Sequence, residues 1–309
     1  MVPSKRILIV SPVFEEPEGD FSRALYHKLE ASNVPVLSPI SNFDWSDSSE
    51  LNNHFAIHKP FLVVVCLPFG QALKDIFSDE NKKSTALAMI NQLSDVCFRS
   101  GAGLIFLSDY HVFGAETKSA YGEKDPVSPM GEFGEFLVEL EKTVSSKVEN
   151  HLILRFGWII GGAANNLFSD MLDSLVLGGE KTVSRYRRGS PTWQDDVLRV
   201  LVGVLRQILS GAENWGIFHY CSSDNCNEWE LGQEILSTLS SLRKPIGNIV
   251  SSADKHSDES TLGTAFPEPA SSTLSCRRIR NNFGIQPRSW RQGLKSNVEI
   301  WLKENSSVG

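Results

Sequence analysis

The sequence lacks the features that mark membrane proteins and nucleic-acid-binding proteins. Its longest apolar stretch, residues 61–69, is interrupted by Pro68 and is far shorter than the ~20 residues that a membrane-spanning helix needs. The formal net charge is −7, and one short basic cluster cannot form the concentrated basic face that binds phosphate backbones. We interpret that cluster (Arg185, Arg187 and Arg188) as a solvated loop, with an anion contact as the alternative. We therefore expect no membrane and no nucleic acid among the partners.

Cysteine is also scarce, and no metal motif is present. The five cysteines are scattered without a Cys-x-x-Cys pair: Cys66, Cys97, Cys221, Cys226 and Cys276. The first apolar run, Ile7–Val10, is too short for the core of an export signal, so we expect a cytoplasmic protein with reduced thiols. His54 and His58 are four residues apart, but no Glu completes a His-Glu-x-x-His pattern and Pro60 follows. We therefore predict no metal site.

Short apolar runs alternate with helical patterns through the first half of the chain. Strands are predicted at residues 7–10, 34–37, 61–67, 104–107 and 151–156. Helices are predicted at residues 21–30, 85–99 and 132–144. The unbroken apolar run at residues 61–67 is typical of a strand that is buried on both faces of a parallel sheet. This alternation predicts an α/β fold with a doubly wound parallel sheet, Rossmann-like, in which ligands bind at the carboxyl ends of the strands.

The pattern loosens beyond about residue 165. We predict a Rossmann-like nucleotide-binding-type domain over residues 1–164 and a smaller C-terminal α/β substrate-type domain over residues 165–309. Segments around residues 189–220 are expected to return to the main sheet. Residues 251–275 are rich in Ser, Pro and Glu and are predicted to form a long loop.

Several blocks of sequence resemble one group of extended short-chain dehydrogenases/reductases. They are Leu-Ser-Asp-Tyr-His-Val-Phe-Gly (107–114), Leu-Arg-Phe-Gly-Trp-Ile-Ile-Gly (154–161) followed by Asn165-Asn166, Gly-Ser-Pro-Thr-Trp (189–193), Gly-Ile-Phe-His-Tyr (216–220) and Phe-Gly-Ile-Gln-Pro (283–287). In this order they are similar to the dTDP-4-dehydrorhamnose reductase family of sugar nucleotide-binding proteins. That group also includes the regulatory β-subunit of methionine adenosyltransferase. The resemblance covers nearly the whole chain and implies a substrate cleft at Asn165, Asn166, Trp193 and Glu268.

The resemblance also implies a Tyr-x-x-x-Lys motif, which this sequence lacks. In the family, the Tyr gives a proton to the developing alkoxide, and the Lys lowers the pKa of that Tyr and hydrogen-bonds the cofactor ribose. Residues 129–141 keep the spacing of the motif but carry Phe133 at the Tyr position and Leu137 at the Lys position. None of the five tyrosines is followed four residues later by Lys. Ser108 matches the residue that orients the substrate oxygen, and Tyr110 and His111 are candidate substitute donors.

The expected phosphate-binding loop departs from the family as well. When residues 23–25 are aligned with the family, Gly19 matches a glycine of the loop and Ser22 stands where the final glycine is expected. Arg23 and Ser11 are further, weak candidates for contact with a cofactor. Four acidic residues in this loop would repel a pyrophosphate, and two prolines remove amide donors. We therefore expect no cofactor, with NADP(H) as the alternative. At Glu268 the family has an Arg, so the charge there is reversed.

These departures lead to three hypotheses about function. The main one is a catalytically degenerate, reductase-like protein (a pseudoenzyme) that binds a protein partner or senses a small metabolite. The alternative is an NADP(H)-dependent oxidoreductase or epimerase of a sugar nucleotide or related carbonyl, with Ser108 orienting the substrate and Tyr110 or His111 as the acid. A third hypothesis keeps nucleotide binding without catalysis. By analogy with relatives, a homodimer is expected through the helix at residues 132–144.

Overall fold

Helices and strands alternate through most of this computed structural model. It describes residues 5–11, 21–38, 43, 45, 47–67, 76–114, 118–162, 165–243, 247–251 and 267–305. The strands are β1 (Ile7–Val10), β2 (Leu62–Cys66), β3 (Gly103–Asp109), β4 (His151–Phe156), β5 (Ile159–Ile160), β6 (Glu180–Val183), β7 (Arg188–Gly189), β8 (Thr192–Trp193), β9 (Gly216–Tyr220), β10 (Cys226–Asn227) and β11 (Asn248–Ser251). The helices are α1 (Phe21–Ala31), α2 (Ser48–His58), α3 (Glu80–Ser100), α4 (Gly131–Lys147), α5 (Leu167–Val176), α6 (Gln194–Leu209), α7 (Glu228–Ser241), α8 (Arg277–Phe283) and α9 (Arg291–Asn305).

The main sheet has five parallel strands in the order β1-β2-β3-β4-β9. Val36 adds an isolated parallel bridge to Ile7, where a second strand was predicted. Every residue of β2 is buried, because helices cover both faces of the sheet. This arrangement explains the unbroken apolar run in the sequence. The predicted α/β class with a Rossmann-like parallel sheet is confirmed.

Two separate apolar layers cover the sheet. One face packs against α2, α3 and α4, through side chains such as Phe55, Leu93 and Leu140. The other face packs against α1, α6 and α8, through side chains such as Leu25 and Leu201. Among the described helices, none combines the length and the apolar character that crossing a membrane would need.

Helix α3 begins five residues earlier than the sequence pattern predicted. Its first turn has no apolar periodicity, but the Asp79 side chain accepts hydrogen bonds from the amides of Asn81 and Lys82. Such a cap satisfies amide donors that a helix start otherwise leaves unpaired. Gly101, with a φ of 72°, ends the helix in the left-handed conformation, which glycine adopts readily.

The C-terminal part of the chain adds three two-stranded sheets, which pair β10 with β7, β11 with β6 and β5 with β8. Helices α5, α7 and α9 pack around a third apolar cluster, which includes Phe168, Ile235 and Trp290. Strand β9 lies in the main sheet, although it comes after residue 165. The proposed boundary between two domains stays a prediction.

The outward face of α4 is charged. Glu132, Glu135 and Glu139 are exposed there, whereas Phe133, Leu137 and their apolar neighbours face the core. The homodimer through this helix, and the protein partner, stay predictions.

Candidate active site

A cavity of about 620 Å³ opens at the carboxyl ends of β3 and β4. Its walls come from the segments that follow these two strands, the start of α4, helix α5, strand β6 and residues 268–269. Parallel sheets place ligands at this edge, since the loops that leave the strands can surround a bound molecule there. The cavity is therefore the candidate active site.

A short 3₁₀ turn, Tyr110–Val112, carries two ionisable rings into this cavity. Asp109 Oδ1 accepts a hydrogen bond from the His111 amide at 2.8 Å and lies 3.0 Å from His111 Nδ1. The Tyr110 ring stacks on the His111 ring, with centroids 4.2 Å apart. Asp109 thus holds both the backbone and the ring of His111, and Tyr110 covers one face of that ring.

Glu268 closes the cluster from a distant part of the chain. Tyr110 donates a hydrogen bond from its hydroxyl to Glu268 Oε2 at 2.8 Å. The same oxygen lies 3.4 Å from His111 Nε2. That distance permits an ion pair between the carboxylate and the charged imidazole. Nε2 itself is buried.

The two rings differ in how firmly they hold their protons. Burial lowers the pKa of His111, but the charges of Asp109 and Glu268 outweigh burial and raise this pKa to about 10. His111 is therefore an imidazolium at neutral pH. Burial, followed by the charges of Glu268 and Asp109, raises the pKa of Tyr110 well above its ordinary value. Of the two predicted substitute donors, His111 is the stronger acid.

The positions that correspond to the missing Tyr and Lys carry apolar packing. Phe133 is 2% exposed, lines the cavity and meets the His111 ring edge-to-face at 4.9 Å. Leu137, one turn later on α4, is 1% exposed and belongs to the core. The ring at position 133 supports His111 but offers no proton.

The structure gathers most, but not all, of the predicted cleft residues. Asn165, Asn166 and Glu268 line the cavity with Tyr110 and His111. Asn166 also caps α5, since its side chain accepts hydrogen bonds from two amides of the first turn.

Two predicted residues lie away from the cavity lining. Trp193 donates from Nε1 to the carbonyl of Trp290 at 2.7 Å and packs edge-to-face against Phe168, so it belongs to the C-terminal core. Ser108, at the end of β3, is buried, and its hydroxyl has no hydrogen-bond partner within the described residues. Its hydroxyl therefore has unused hydrogen-bonding capacity one residue before Asp109.

The family model described as RmlD substrate binding domain matches residues 17–302. This chain belongs to that family. The predicted resemblance to dTDP-4-dehydrorhamnose reductases, within the extended short-chain dehydrogenases/reductases, is confirmed.

Relatives of this RmlD-family chain include two curated reductases. A probable dTDP-4,6-dihydroxy-2-methyloxan-3-one 4-ketoreductase of Streptomyces antibioticus is 27% identical over 289 residues, which cover 90% of each chain. A dTDP-4-dehydrorhamnose reductase of Aggregatibacter actinomycetemcomitans is 25% identical over 218 residues, which cover 67% of this chain and 70% of the relative.

Solved structures show the same fold. A dTDP-4-dehydrorhamnose reductase from Yersinia enterocolitica has a TM-score of 0.78 and 20% identity, covering 96% of this chain and 100% of that one. A dTDP-4-dehydrorhamnose reductase from Bacillus anthracis, in complex with NADP, has a TM-score of 0.76 and 18% identity, covering 96% and 99%.

These relatives overturn the prediction of a catalytically degenerate protein. The chain is similar over nine tenths of its length to a 4-ketoreductase, so the expectation that it is a pseudoenzyme and not an enzyme is wrong. The physical reason lies in the cavity. The Tyr-x-x-x-Lys motif is absent, but the cavity still holds an ionisable ring, His111, next to the Phe133 ring.

Where a nucleotide cofactor would bind, the described residues suit its phosphates better than its ribose. Ser11 follows β1, and the first turn of α1 carries Ser22 and an exposed Arg23; Gly19 lies outside the described residues. A helix amino terminus, a hydroxyl and a guanidinium suit a pyrophosphate in chemistry. At the family's ribose-binding Lys position, Leu137 offers no polar group.

Sequence analysis missed several charged residues that line the cavity. Asp109 lies inside a recognised block, two residues before His111. That spacing is typical of an Asp side chain that caps the following turn, and it could have identified Asp109 from the sequence. Arg187 was interpreted as part of a solvated loop, with an anion contact as the alternative; it lines the cavity and pairs with the Glu228 carboxylate at 3.1 Å. Lys181 pairs with Asp170 at 2.5 Å on the same wall. These pairs join segments that the sequence separates, so no local pattern reveals them.

The contact between α4 and the His111 turn depends on Gly134. A Cβ at this position would lie 2.5 Å from the His111 carbonyl oxygen and 2.7 Å from Pro129 Cβ. We expect Gly134→Ala to lower the free energy of unfolding by about 1–3 kcal/mol, because α4 must move away from the turn. Denaturant unfolding measures this change. Gly203→Ala on α6 is the matched control, since its Cβ would meet Ile285 at an ordinary 3.6 Å. Equal effects at the two glycines would contradict the close contact.

Proposed function

We propose that this chain is an NAD(P)-dependent reductase of a keto sugar nucleotide in which His111 is the proton donor. One observation carries the proposal: the charged imidazole of His111 lines the cavity, with Asp109 orienting it at Nδ1 and Glu268 Oε2 at 3.4 Å from Nε2. The substrate class is supported by the two curated relatives, which are named as reductases of dTDP-linked sugars.

Carbonyl reduction needs a hydride at carbon and a proton at oxygen. A bound nicotinamide supplies the hydride. His111 donates the proton from Nε2 to the developing alkoxide. General-acid catalysis of this kind raises the rate by about 10²- to 10⁴-fold. Asp109 accepts the Nδ1 hydrogen bond at 3.0 Å and holds the ring in one orientation.

Glu268 and Tyr110 are positioned to restore the proton. Once His111 is neutral, Glu268 Oε2 lies 3.4 Å from Nε2 and is also bound to the Tyr110 hydroxyl. These two groups form a short path by which a proton can reach Nε2 from the cavity. The negative charge of Glu268 then favours recharging the imidazole.

The chain's own contacts to the cofactor fall at the start of α1. Ser22, Arg23 and the amino terminus of α1 would hold the phosphates. The solved relative from Bacillus anthracis carries NADP, and a dTDP-glucose 4,6-dehydratase from Streptomyces venezuelae with a TM-score of 0.74 carries NAD. Since Leu137 replaces the ribose-binding Lys, we expect weaker cofactor affinity than in relatives that keep the Lys.

A direct assay tests this function. Purified full-length protein is mixed with NADPH or NADH and dTDP-4-dehydrorhamnose, and loss of the reduced cofactor is followed by absorbance. We expect oxidation that depends on both substrate and protein. The reaction without sugar nucleotide is the control. Binding of cofactor and sugar nucleotide by calorimetry, with no turnover, would overturn the proposal.

The pH profile tests the identity of the acid. We expect kcat/KM to be level across neutral pH and to fall as pH rises through about 10, where His111 loses its proton. Glu268→Gln removes one of the two charges that raise this pKa, so its alkaline limb should move to lower pH. Glu135→Gln, on the exposed face of α4, is the matched control and should leave the limb in place. An unmoved limb in Glu268→Gln would assign the titration to another group.

A further inference from the structure

Two cysteines that are 55 positions apart in the sequence meet at the edge of the main sheet. Cys221 directly follows β9, and Cys276 directly precedes α8. Their sulfur atoms lie 3.6 Å apart. Cys221 is fully buried, whereas Cys276 is partly exposed. Neither side chain lines the cavity or takes part in the proposed reduction.

The local hydrogen bonds hold the two sulfur atoms against each other. The Cys221 amide donates to Cys276 Sγ at 3.2 Å, and the Cys221 thiol donates to the Leu274 carbonyl at 3.2 Å. The hydrogen bond between the thiols lowers the pKa of Cys221 and raises the pKa of Cys276, so Cys221 is the sulfur that is more readily a thiolate and suited to the attack that closes the bond. The remaining cysteines, Cys66, Cys97 and Cys226, are buried at other positions.

We propose that Cys221 and Cys276 are a reversible redox site that closes to an intramolecular disulfide when hydrogen peroxide oxidises it. The peroxide first meets Cys276, the sulfur that is partly exposed. That sulfur takes one peroxide oxygen and becomes a sulfenic acid, and the first water is released. The Cys221 thiolate then attacks the oxidised sulfur, the S–S bond forms, and the second water leaves. Two thiols lose two electrons and two protons, and one peroxide becomes two waters.

The bond would anchor the segment that carries Glu268. Residues 267–276 run alongside Tyr121, whose amide donates to the Thr273 carbonyl at 2.9 Å and whose carbonyl accepts from the Ser275 amide at 2.8 Å. Glu268 lies at one end of this segment and Cys276 at the other. A disulfide would tie the far end to β9 and restrict the unfolded chain, so the oxidised protein should unfold at a temperature several degrees higher.

The test uses the wild-type full chain, first fully reduced and then treated with hydrogen peroxide. We expect the count of free thiols, measured after denaturation, to fall by two from five. A peptide map without reductant should contain one linked pair, with Cys221 joined to Cys276. Dithiothreitol should restore all five thiols and the lower unfolding temperature.

Three variants make the result specific. Cys276→Ser and Cys221→Ser should each abolish the linked peptide and the temperature shift. Cys226→Ser, a buried cysteine elsewhere, is the matched control and should keep both. Three results would overturn the proposal: peroxide leaves every wild-type thiol free, Cys276 is oxidised to sulfinic acid without a link, or the links join other cysteines. Since the readouts are thiol chemistry and unfolding, they are independent of reductase activity.

Discussion

His111→Asn is expected to lower kcat for reduction of the keto sugar nucleotide by about 10²- to 10⁴-fold, the range that a general acid contributes. The shorter amide can keep a hydrogen bond to Asp109, which lies 3.0 Å from Nδ1 in the wild type. It cannot supply the Nε2 proton, so the loss should fall on kcat more than on KM. Steady-state rates with NADPH and dTDP-4-dehydrorhamnose at neutral pH measure both constants.

Tyr110→Phe is the matched comparison for this experiment. It removes the hydroxyl that donates to Glu268 and keeps the ring that stacks on His111. We expect at most a roughly tenfold loss, equivalent to one hydrogen bond of about 1.4 kcal/mol. If Tyr110→Phe proves far more damaging than His111→Asn, with both proteins folded by thermal unfolding, Tyr110 is the acid and the assignment of His111 is wrong.

Glu141→Ala is expected to lower the free energy of unfolding by about 3–5 kcal/mol, because it leaves the buried charge of Arg155 without its partner. Arg155 on β4 is 2% exposed and Glu141 on α4 is 4% exposed. The guanidinium donates from Nε to Oε1 at 2.8 Å and from Nη2 to Oε2 at 2.5 Å. His219 Nε2, 3.4 Å from Nη1, carries no negative charge that could replace the carboxylate; burial and then the charge of Arg155 lower its pKa to about 3.

Denaturant unfolding tests this expectation. Glu139→Ala, on the exposed face of the same helix, is the control and should change the free energy of unfolding by less than about 0.5 kcal/mol. The double variant Glu141→Leu with Arg155→Met removes both charges and should recover much of the lost stability, since apolar pairs often replace buried ion pairs without loss. A double variant as unstable as Glu141→Ala would mean that lost packing, not the unpaired charge, is responsible.

Much of the fold follows from local pattern. The apolar run of β2 is unbroken because both faces of the strand are buried, and that requirement is visible in the residues themselves. Boundaries were less predictable, as the start of α3 shows, because one cap at Asp79 extends a helix through a polar turn.

The site was only partly predictable. Tyr110 and His111 were found because they follow a strand end inside a recognised block. Their partner Glu268 was noted for its reversed charge, but its contact with Tyr110, 158 positions away, came only from the structure. The meeting of Cys221 and Cys276 has the same origin.

By itself, the sequence determined the α/β class, the resemblance to its family and the absence of a Tyr-x-x-x-Lys motif. It did not determine that the chain lacks a proton donor, and the inference from motif to pseudoenzyme failed at that step. Whether an imidazole is an acid depends on its pKa, which is controlled by charges within a few Å and by burial. Only the tertiary structure places the carboxylates of Asp109 and Glu268 on either side of His111, and thereby decides that its ring is charged.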